Sequence, residues 1–309
     1  MESSAGVPLY DLHESVRRRV KALKKLQIES IDIEAKFYER VHQLEKEFAP
    51  QFDALQAKRK MIVTGEKEPT DAEADAALIH GIPDEEVLRE ASATTVKGDA
   101  PKGIPNFWLN VLKGSPQVGT LIQSHDEPIL KHLMDITVSI STDPDSYTLT
   151  FHFEPNEYFE QTELTKFYTL QMTPREDDPF VYEGPTVYEA KGSKIEWKKD
   201  KNVTLKALKK KSRDGRYVTK IIKTESFFNF FDPPVVKASG QDINEDEENK
   251  LAADFEIGQL IRDRIIPRAV LFYTGEASLD DYDYYDEMED EDEEDVSSDD
   301  VDDSEDIRS

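Results

Sequence analysis

The stretch that decides the fold is LHESVRRRVKALKKLQIESIDIEAKFYERVHQLEKEFAPQFDAL, residues 12–55. Its apolar residues recur at intervals of three and four, which is the period of one helix face. Glycine is absent between Leu9 and Gly65, and Pro50 is the only residue expected to kink a helix here. The pattern predicts a single helix over residues 12–57, about 70 Å long at 1.5 Å per residue.

A helix of that length extends beyond what one small domain can cover, so its apolar stripe needs a partner helix. The chain offers no second helix of similar length, and self-association is the simplest source of one. We therefore expect a homodimer joined by a coiled coil; a helix folded back on its own domain is the alternative. The candidate dimerisation residues are Leu23, Leu26, Ile33, Phe37, Val41, Leu44 and Phe48.

The rest of the chain reads as an α+β domain. A period of two predicts strands at 136–140 and 147–153, with a further strand over 167–172. The segments 203–211 and 216–223 flank Arg-Asp-Gly and predict a hairpin. The fold class expected is thus a long N-terminal dimerisation helix, then an antiparallel sheet domain covered by helices, then a disordered acidic tail.

Helical segments surround the expected strands. A polar helix is predicted from Asp71 to Ala93 with a break at Gly81, and short helices are predicted after Pro105 and after His125. Apolar spacing predicts two more near the end, one through Leu251 and Leu260 and one from Ala269 to Tyr273. The aromatic cluster SFFNFF, residues 226–231, is interpreted as core packing, with a partner pocket as the less favoured alternative.

Charge is concentrated at the C-terminus. The 309 residues carry 66 acids and 39 bases, for a formal charge of −27. Between Glu276 and Ser309 there are nineteen acids against Arg308, so this tail carries −18 and the other 275 residues carry −27 + 18 = −9. Such a tail cannot bury enough apolar surface to offset its ordering entropy, and we expect it to be disordered. The balance opposes DNA binding, whether sequence-specific or not, and favours a basic protein partner.

The tail also carries aromatic rings. In DDYDYYDE the acids Asp280, Asp281, Asp283, Asp286 and Glu287 enclose Tyr282, Tyr284 and Tyr285. A ring can fill an apolar pocket on a partner while neighbouring acids pair with Lys and Arg, so docking on a basic surface is favoured over a purely solubilising role. Ser297, Ser298 and Ser304 lie beside acids and are candidate phosphorylation sites.

One segment has the opposite charge. From Lys191 to Lys223 there are thirteen bases and three acids, a local +10. Lys209, Lys210, Lys211 and Arg213 resemble a nuclear localisation signal. The equally weighted alternative is a solvated hairpin whose lysines prevent edge-to-edge aggregation.

The sequence supports no reaction. It has no phosphate loop, no metalloprotease motif and no nucleophile elbow. The absence of cysteine excludes thiolate chemistry, and the spacing of His125, His132 and His152 fits no metal site. We expect no enzyme, no cofactor and no metal.

The first residues lack the pattern of a signal peptide, and no apolar run is long enough to span a membrane, so a soluble intracellular protein is expected.

Several blocks of sequence, taken in order, resemble the nucleosome assembly proteins. The blocks are IEAKFYERVHQLE (33–45), GIPNFWLNVL (103–112), HDEPILKHLMDI (125–136), FHFEPNEYF (151–159), IEWKKDKNVTLK (195–206), ESFFNFFDPP (225–234) and LAADFEIGQLIRDRIIPRAVLFYTGEA (251–277). The resemblance covers nearly the whole chain from about Lys25. The acidic extension that larger members carry before the long helix is nearly missing.

The resemblance implies a histone chaperone: a homodimer of long antiparallel helices whose acidic surface receives core histones, both 2A–2B dimers and 3–4, and assists nucleosome assembly. It implies histone-facing acids on the helix with Asp254 and Glu256 and in the preceding run of Asp242, Glu245, Asp246, Glu247 and Glu248. It also matches the hairpin lysines to a nuclear localisation signal, which implies an import receptor and shuttling between nucleus and cytoplasm.

The expected division is a dimerisation helix (1–60), a histone-binding domain with a basic hairpin near 203–223 (61–275) and an acidic tail (276–309). A regulator or inhibitor of a signalling enzyme such as a phosphatase is the alternative function, because a related acidic branch of the superfamily has that role.

Overall fold

The computed structural model describes residues 9–89, 99–211, 217–234 and 245–277. The helices are α1 (Glu14–Val63), α2 (Asp84–Val87), α3 (Phe107–Gly114), α4 (Pro116–Gly119), α5 (Glu127–Leu130), α6 (Glu245–Leu260) and α7 (Ala269–Thr274). The strands are β1 (Leu133–Thr142), β2 (Asp145–Phe153), β3 (Glu163–Gln171), β4 (Thr186–Gly192), β5 (Leu205–Lys211) and β6 (Tyr217–Lys223). Short 3-10 turns occupy Leu9–Asp11, Pro179–Val181 and Phe227–Phe231, and a π-helical turn, Ile261–Ile265, follows α6.

The long helix is confirmed. Helix α1 spans 50 residues, about 75 Å at 1.5 Å per residue, and passes through Pro50 without ending. The ring of His13 caps its start by accepting a hydrogen bond from the Ser15 amide. It ends where Gly65 takes a left-handed φ of 67°, and a Cβ there would lie 2.5 Å from the amide nitrogen of Gly103. Glycine at both positions lets the chain after α1 pass directly over the segment that leads into α3.

The main sheet is antiparallel, with strand order β1-β2-β3-β4. On β2 the alternating residues Tyr147, Leu149, Phe151 and Phe153 are buried, which is the period of two expected for a sheet with one face on the core. The predicted strands at 136–140, 147–153 and 167–172 correspond to β1, β2 and β3. Strand β4 was not predicted from the sequence.

The core lies between this sheet and a layer of helices. The aromatic segment Phe227–Phe231 packs on β2, with the rings of Phe151 and Phe231 5.2 Å apart and perpendicular. Trp108 of α3 and Ile129 and Leu130 of α5 are fully or almost fully enclosed on the same layer. The interpretation of residues 226–231 as core packing is therefore confirmed.

Two further predictions have different outcomes. The hairpin is confirmed, because β5 and β6 pair from Leu205↔Lys223 to Lys211↔Tyr217 as a separate two-stranded sheet. The polar helix over 71–93 is wrong in its described part. Residues 71–83 form turns and a short bridge between Ile79 and Ile82, and only the four residues of α2 are helical. That segment offers no apolar face to bury, and isolated short helices are unstable without one.

Candidate functional site

The predicted dimerisation residues form one exposed stripe on α1. Leu23, Leu26, Ile33, Phe37, Leu44 and Phe48 are between 46% and 67% exposed, and Val41 on the same line is partly buried. The stripe continues to Phe52 and Leu55, which are 60% and 61% exposed. A line of large apolar side chains this long facing solvent is typical of a surface that another protein covers.

A second face of α1 packs on the chain's own domain. Each of the stripe residues Phe37, Val41, Leu44, Phe48 and Leu55 directly precedes a more buried residue, so the two faces are about 100° apart around the helix. The domain-facing residues include Ile31, Ala35, Tyr38, His42, Glu45 and Arg59. The helix therefore has one face for its own domain and an adjacent face without a partner in this single chain.

Polar contacts fix α1 on the domain. A ring nitrogen of buried His42 lies 2.8 Å from the carbonyl oxygen of Ser141, at the end of β1. Glu45 accepts a hydrogen bond from Arg262, and Arg59 donates to the carbonyl of Ile266, both at 2.5 Å. These contacts hold the stripe at a fixed angle to the sheet domain.

Helix α6 carries six of the predicted histone-binding acids, and the side chains of two of them, Asp254 and Glu256, have different surroundings. Glu256 is exposed, whereas the side chain of Asp254 is 9% exposed. Asp254 lies 2.5 Å from the ammonium of Lys166, which is fully buried, and accepts a hydrogen bond from the hydroxyl of Tyr168. The carboxylate of Asp254 is thus already engaged within the domain and presents little charge to solvent.

Lys166 sits at the junction of three elements. From β3 its ammonium donates to Asp254 of α6 and to the carbonyl of Phe230, and it lies 4.4 Å from the centre of the Phe230 ring. Burial raises the pKa of Asp254 and lowers the pKa of Lys166, and the ion pair opposes both shifts. A Cβ at Gly258 would lie 2.4 Å from the Tyr168 ring, so α6 packs directly on β3 at this point. Sequence reasoning missed Lys166, Tyr168 and Gly258, because no local pattern marks a contact 88 residues apart.

The remaining predicted acids are only partly described. The structure describes the backbone of four of them, which forms the first turn of α6: Glu245, Asp246, Glu247 and Glu248. Asp242 lies outside the described residues, as does the tail segment Asp280–Glu287. The prediction that the tail is disordered also falls outside them.

The basic hairpin contains three of the four predicted nuclear localisation residues. Lys209, Lys210 and Lys211 lie on β5 opposite Thr219, Val218 and Tyr217, and Arg213 lies outside the described residues. Nearby, Leu208 and Ile221 are 44% and 65% exposed and Lys220 faces solvent.

The histidines have structural partners. A ring nitrogen of His125 lies 3.0 Å from the carbonyl oxygen of Glu225, His132 lies 2.8 Å from Glu154, and His152 lies 2.8 Å from the Thr137 hydroxyl. Within the described ranges, no cluster of three or more His, Asp or Glu is placed to hold a metal ion. The same residues include no helix long and apolar enough to cross a membrane.

Comparison with known proteins identifies the family. The model for "Nucleosome assembly protein (NAP)" matches residues 18–276. Human Nucleosome assembly protein 1-like 4 is 45% identical over 288 residues, which are 88% of this chain and 77% of the relative. Nucleosome assembly protein 1-like 1 of Xenopus tropicalis is 46% identical over 299 residues, 92% of this chain and 76% of the relative.

A solved structure shows the same fold. Nucleosome Assembly Protein 1 from Plasmodium knowlesi matches with a TM-score of 0.51 and 24% identity, over 86% of this chain and 99% of that chain. The long helix, the antiparallel sheet and the covering helices are therefore an arrangement already observed in another protein. From the family model and from relatives that align along most of their length, we conclude that this chain belongs to the nucleosome assembly protein family.

Proposed function

We propose that this protein is a histone chaperone that binds core histones, shields them from indiscriminate DNA binding and releases them during nucleosome assembly. Membership of the nucleosome assembly protein family is the observation that carries the proposal. The charge is consistent with it, because a chain of −27 attracts strongly basic proteins and is repelled by DNA. The function is binding rather than catalysis, in keeping with a sequence that contains no recognisable catalytic motif.

The chaperone acts as a homodimer through the exposed stripe of α1. Two copies of the stripe match when the helices run antiparallel about a two-fold axis near residue 39. Leu23 then faces Leu55, Leu26 faces Phe52 and Phe37 faces Val41, since the members of each pair are equally distant from residue 39. Ile33 and Leu44 match to within one residue, and a self-complementary arrangement of this kind is what a two-fold interface requires.

Histones bind to acids on α6 and in the tail. We assign direct contacts to Asp242, Glu245, Asp246, Glu247, Glu248 and Glu256 and to the tail segment Asp280–Glu287 with its three tyrosines. Asp254 contributes indirectly, because its pair with buried Lys166 fixes the helix that displays the other acids. Both 2A–2B dimers and 3–4 are accommodated, since the attraction arises mainly from charge.

Release follows from competition with DNA. Duplex DNA carries one negative charge per about 1.7 Å of axis, which is a denser array than the acidic tail offers. A histone held by the tail's acids is therefore displaced where DNA can wrap it properly.

The basic hairpin serves import. An import receptor recognises Lys209, Lys210, Lys211 and Arg213, so the protein shuttles between cytoplasm and nucleus. In this division residues 1–60 dimerise, 61–275 bind histones and 276–309 form the acidic tail.

The test is titration calorimetry of the full-length protein against histone 2A–2B dimers at low and high salt. Changing Tyr282, Tyr284 and Tyr285 to Ser leaves the formal charge unchanged, whereas each ring buried in a histone pocket contributes about 1–3 kcal/mol. We expect the variant to bind more weakly at both salt concentrations, because the lost contact is apolar.

The matched control is Tyr188→Ser, which removes a ring that is 50% exposed on β4 and lies outside residues 276–309. Equal affinity of the tail variant and the wild type at every salt concentration would show that the rings do not contact the histone. Absence of histone binding by the wild-type protein would refute the chaperone function itself.

A further inference from the structure

The start of α1 carries a dense basic segment inside an acidic protein. From Arg17 to Lys25 there are six bases and no acid, and all six side chains are exposed. Among the residues that the structure describes, none of the six forms an ion pair; Lys24 only lies over the ring of Phe180, 5.3 Å from its centre. Arg18, Lys21 and Lys25 are spaced at i, i+3 and i+7 and form one row along the helix.

This row does not coincide with the dimerisation stripe. At about 100° per residue, Arg18, Lys21 and Lys25 lie on the side of the helix roughly opposite the line that runs through Leu23 and Leu26. Of the six bases, Arg19 alone lies in phase with the stripe. The basic row therefore stays accessible when the stripe is covered by a second subunit.

The described chain ends near the opposite end of α1. Val63, the last residue of α1, accepts a hydrogen bond from the amide of Ile104, just before α3. The ring of Phe107 in α3 stacks on Tyr273 of α7 at 5.1 Å. Three residues later Glu276 accepts a hydrogen bond from the His80 amide at 2.8 Å, and a second from Thr274. The acidic tail thus leaves the domain beside the C-terminal end of α1.

The antiparallel dimer proposed above brings this exit point to the basic segment of the other subunit. With a two-fold axis near residue 39, Val63 lies opposite the partner's Ser15, within two turns of the partner's Lys21. The basic segment of the same subunit is about 60 Å away along the helix. Residues 278–309 number 32, and a random chain of that length has a root-mean-square span of roughly 30 Å. The partner's segment is therefore well within reach of the tail, and the subunit's own segment is not.

We propose that the acidic tail of each subunit docks on the partner subunit's basic helix start, Arg17–Lys25. The match is electrostatic: residues 278–309 carry −17, meet a segment of +6 and still retain −17 + 6 = −11 for other ligands. Docking rests on the dimer of the proposed function and adds to it. It holds the tails at the two ends of the dimer. A basic histone must then displace the helix start Arg17–Lys25 before it can bind the tail.

The chain has no cysteine, so labels can be placed one at a time. A donor dye on Ala22→Cys in one full-length chain and an acceptor on Ser298→Cys in another report the distance between the helix start and the partner's tail after subunit exchange. We expect efficient energy transfer at low salt that declines as salt is raised, because exposed charge pairs are screened beyond about 8 Å at physiological ionic strength.

The position of the charge change decides the outcome. We expect a loss of roughly half or more of the energy transfer when the donor chain carries Arg18→Gln, Lys21→Gln and Lys25→Gln together. Each exposed charge pair contributes modestly, so all three bases are removed at once. The same three changes on the acceptor chain, which carries the observed tail, should leave it unchanged. The control Lys209→Gln, Lys210→Gln and Lys211→Gln removes the same charge from the hairpin of the donor chain and should also have no effect.

Unchanged energy transfer with the three substitutions on the donor chain would overturn tail docking on the partner. So would a loss of transfer when the substitutions are on the acceptor chain, or when only the hairpin lysines are changed. Native mass spectrometry of the same samples reports the dimer separately. A dimer without energy transfer refutes the docking alone, whereas a monomeric wild type refutes the dimer on which the docking rests.

Discussion

The exposed stripe on α1 allows a quantitative test of dimerisation. Leu44 and Phe48 are 52% and 46% exposed in the single chain, so a partner helix can bury about half of each side chain. Complete burial of such a residue is worth about 1.5–3 kcal/mol, which gives roughly 1 kcal/mol for each of these two and less for Val41. Two subunits together then gain about 5 kcal/mol from the three positions, equivalent to a factor of 10³–10⁴ in the dissociation constant.

Changing Val41, Leu44 and Phe48 to Asp should remove that gain and add the cost of desolvating carboxylates. Sedimentation equilibrium should show a dimer for the wild type at micromolar concentration and a monomer for the variant. The matched control places Asp at Lys36, Gln43 and Ala54, which are exposed on the third, polar face of the helix. It carries the same number of new aspartates and should remain dimeric.

Two results would refute this reasoning. A wild-type protein of monomer mass at micromolar concentration would mean that the stripe has no partner of its own kind. Equal dissociation of the stripe variant and the control would mean that loss of helix stability, rather than loss of the apolar interface, separates the subunits.

Helix orientation, the buried ion pair and the basic hairpin can each be tested separately. Single spin labels on α1 should show the shortest distance between subunits near residue 39, with about 3 Å added for each residue away from it; a constant distance along the helix would indicate a parallel dimer instead. Lys166→Ala should lower the free energy of unfolding in urea by about 3–5 kcal/mol, because it leaves the carboxylate of Asp254 buried without its partner. A smaller loss in the double variant Lys166→Ala with Asp254→Ala would identify the unpaired charge as the cause. Changing Lys209, Lys210 and Lys211 to Ala should move a tagged protein towards the cytoplasm while histone affinity stays unchanged; unaltered nuclear accumulation would leave the hairpin only a solubilising role.

Sequence periodicity was sufficient for elements whose residues repeat. The stripe on α1 and the alternation on β1 and β2 could be predicted, because one face of each element is apolar over many residues. Strand β4, with the sequence TVYEAKG, escaped prediction because it is short, largely polar and owes its structure to pairing with β3. Local propensity also misled over 71–83, where alanines suggest a helix but no apolar face exists to stabilise one.

The site was predictable only in part for a related reason. The apolar residues of the stripe stand out in the sequence, but the second face of α1 includes His42 and Glu45, whose partners Ser141 and Arg262 are distant in the chain. Asp254 lies near a run of acids and reads as one more surface charge. Its burial depends on Lys166, and a contact between residues so far apart is set by tertiary packing that one sequence does not display.

The two adjacent faces of α1 link assembly to folding. The same helix contributes to the core of its own domain and presents the proposed dimer interface, so dimerisation of the folded chain raises the stability of the domain as well. The apparent melting temperature of this protein should therefore rise with its concentration. At high dilution the first turns of α1, which extend past their own domain, would lose their cover before the sheet unfolds, and the basic segment that they carry would become the first part of the molecule open to proteolysis.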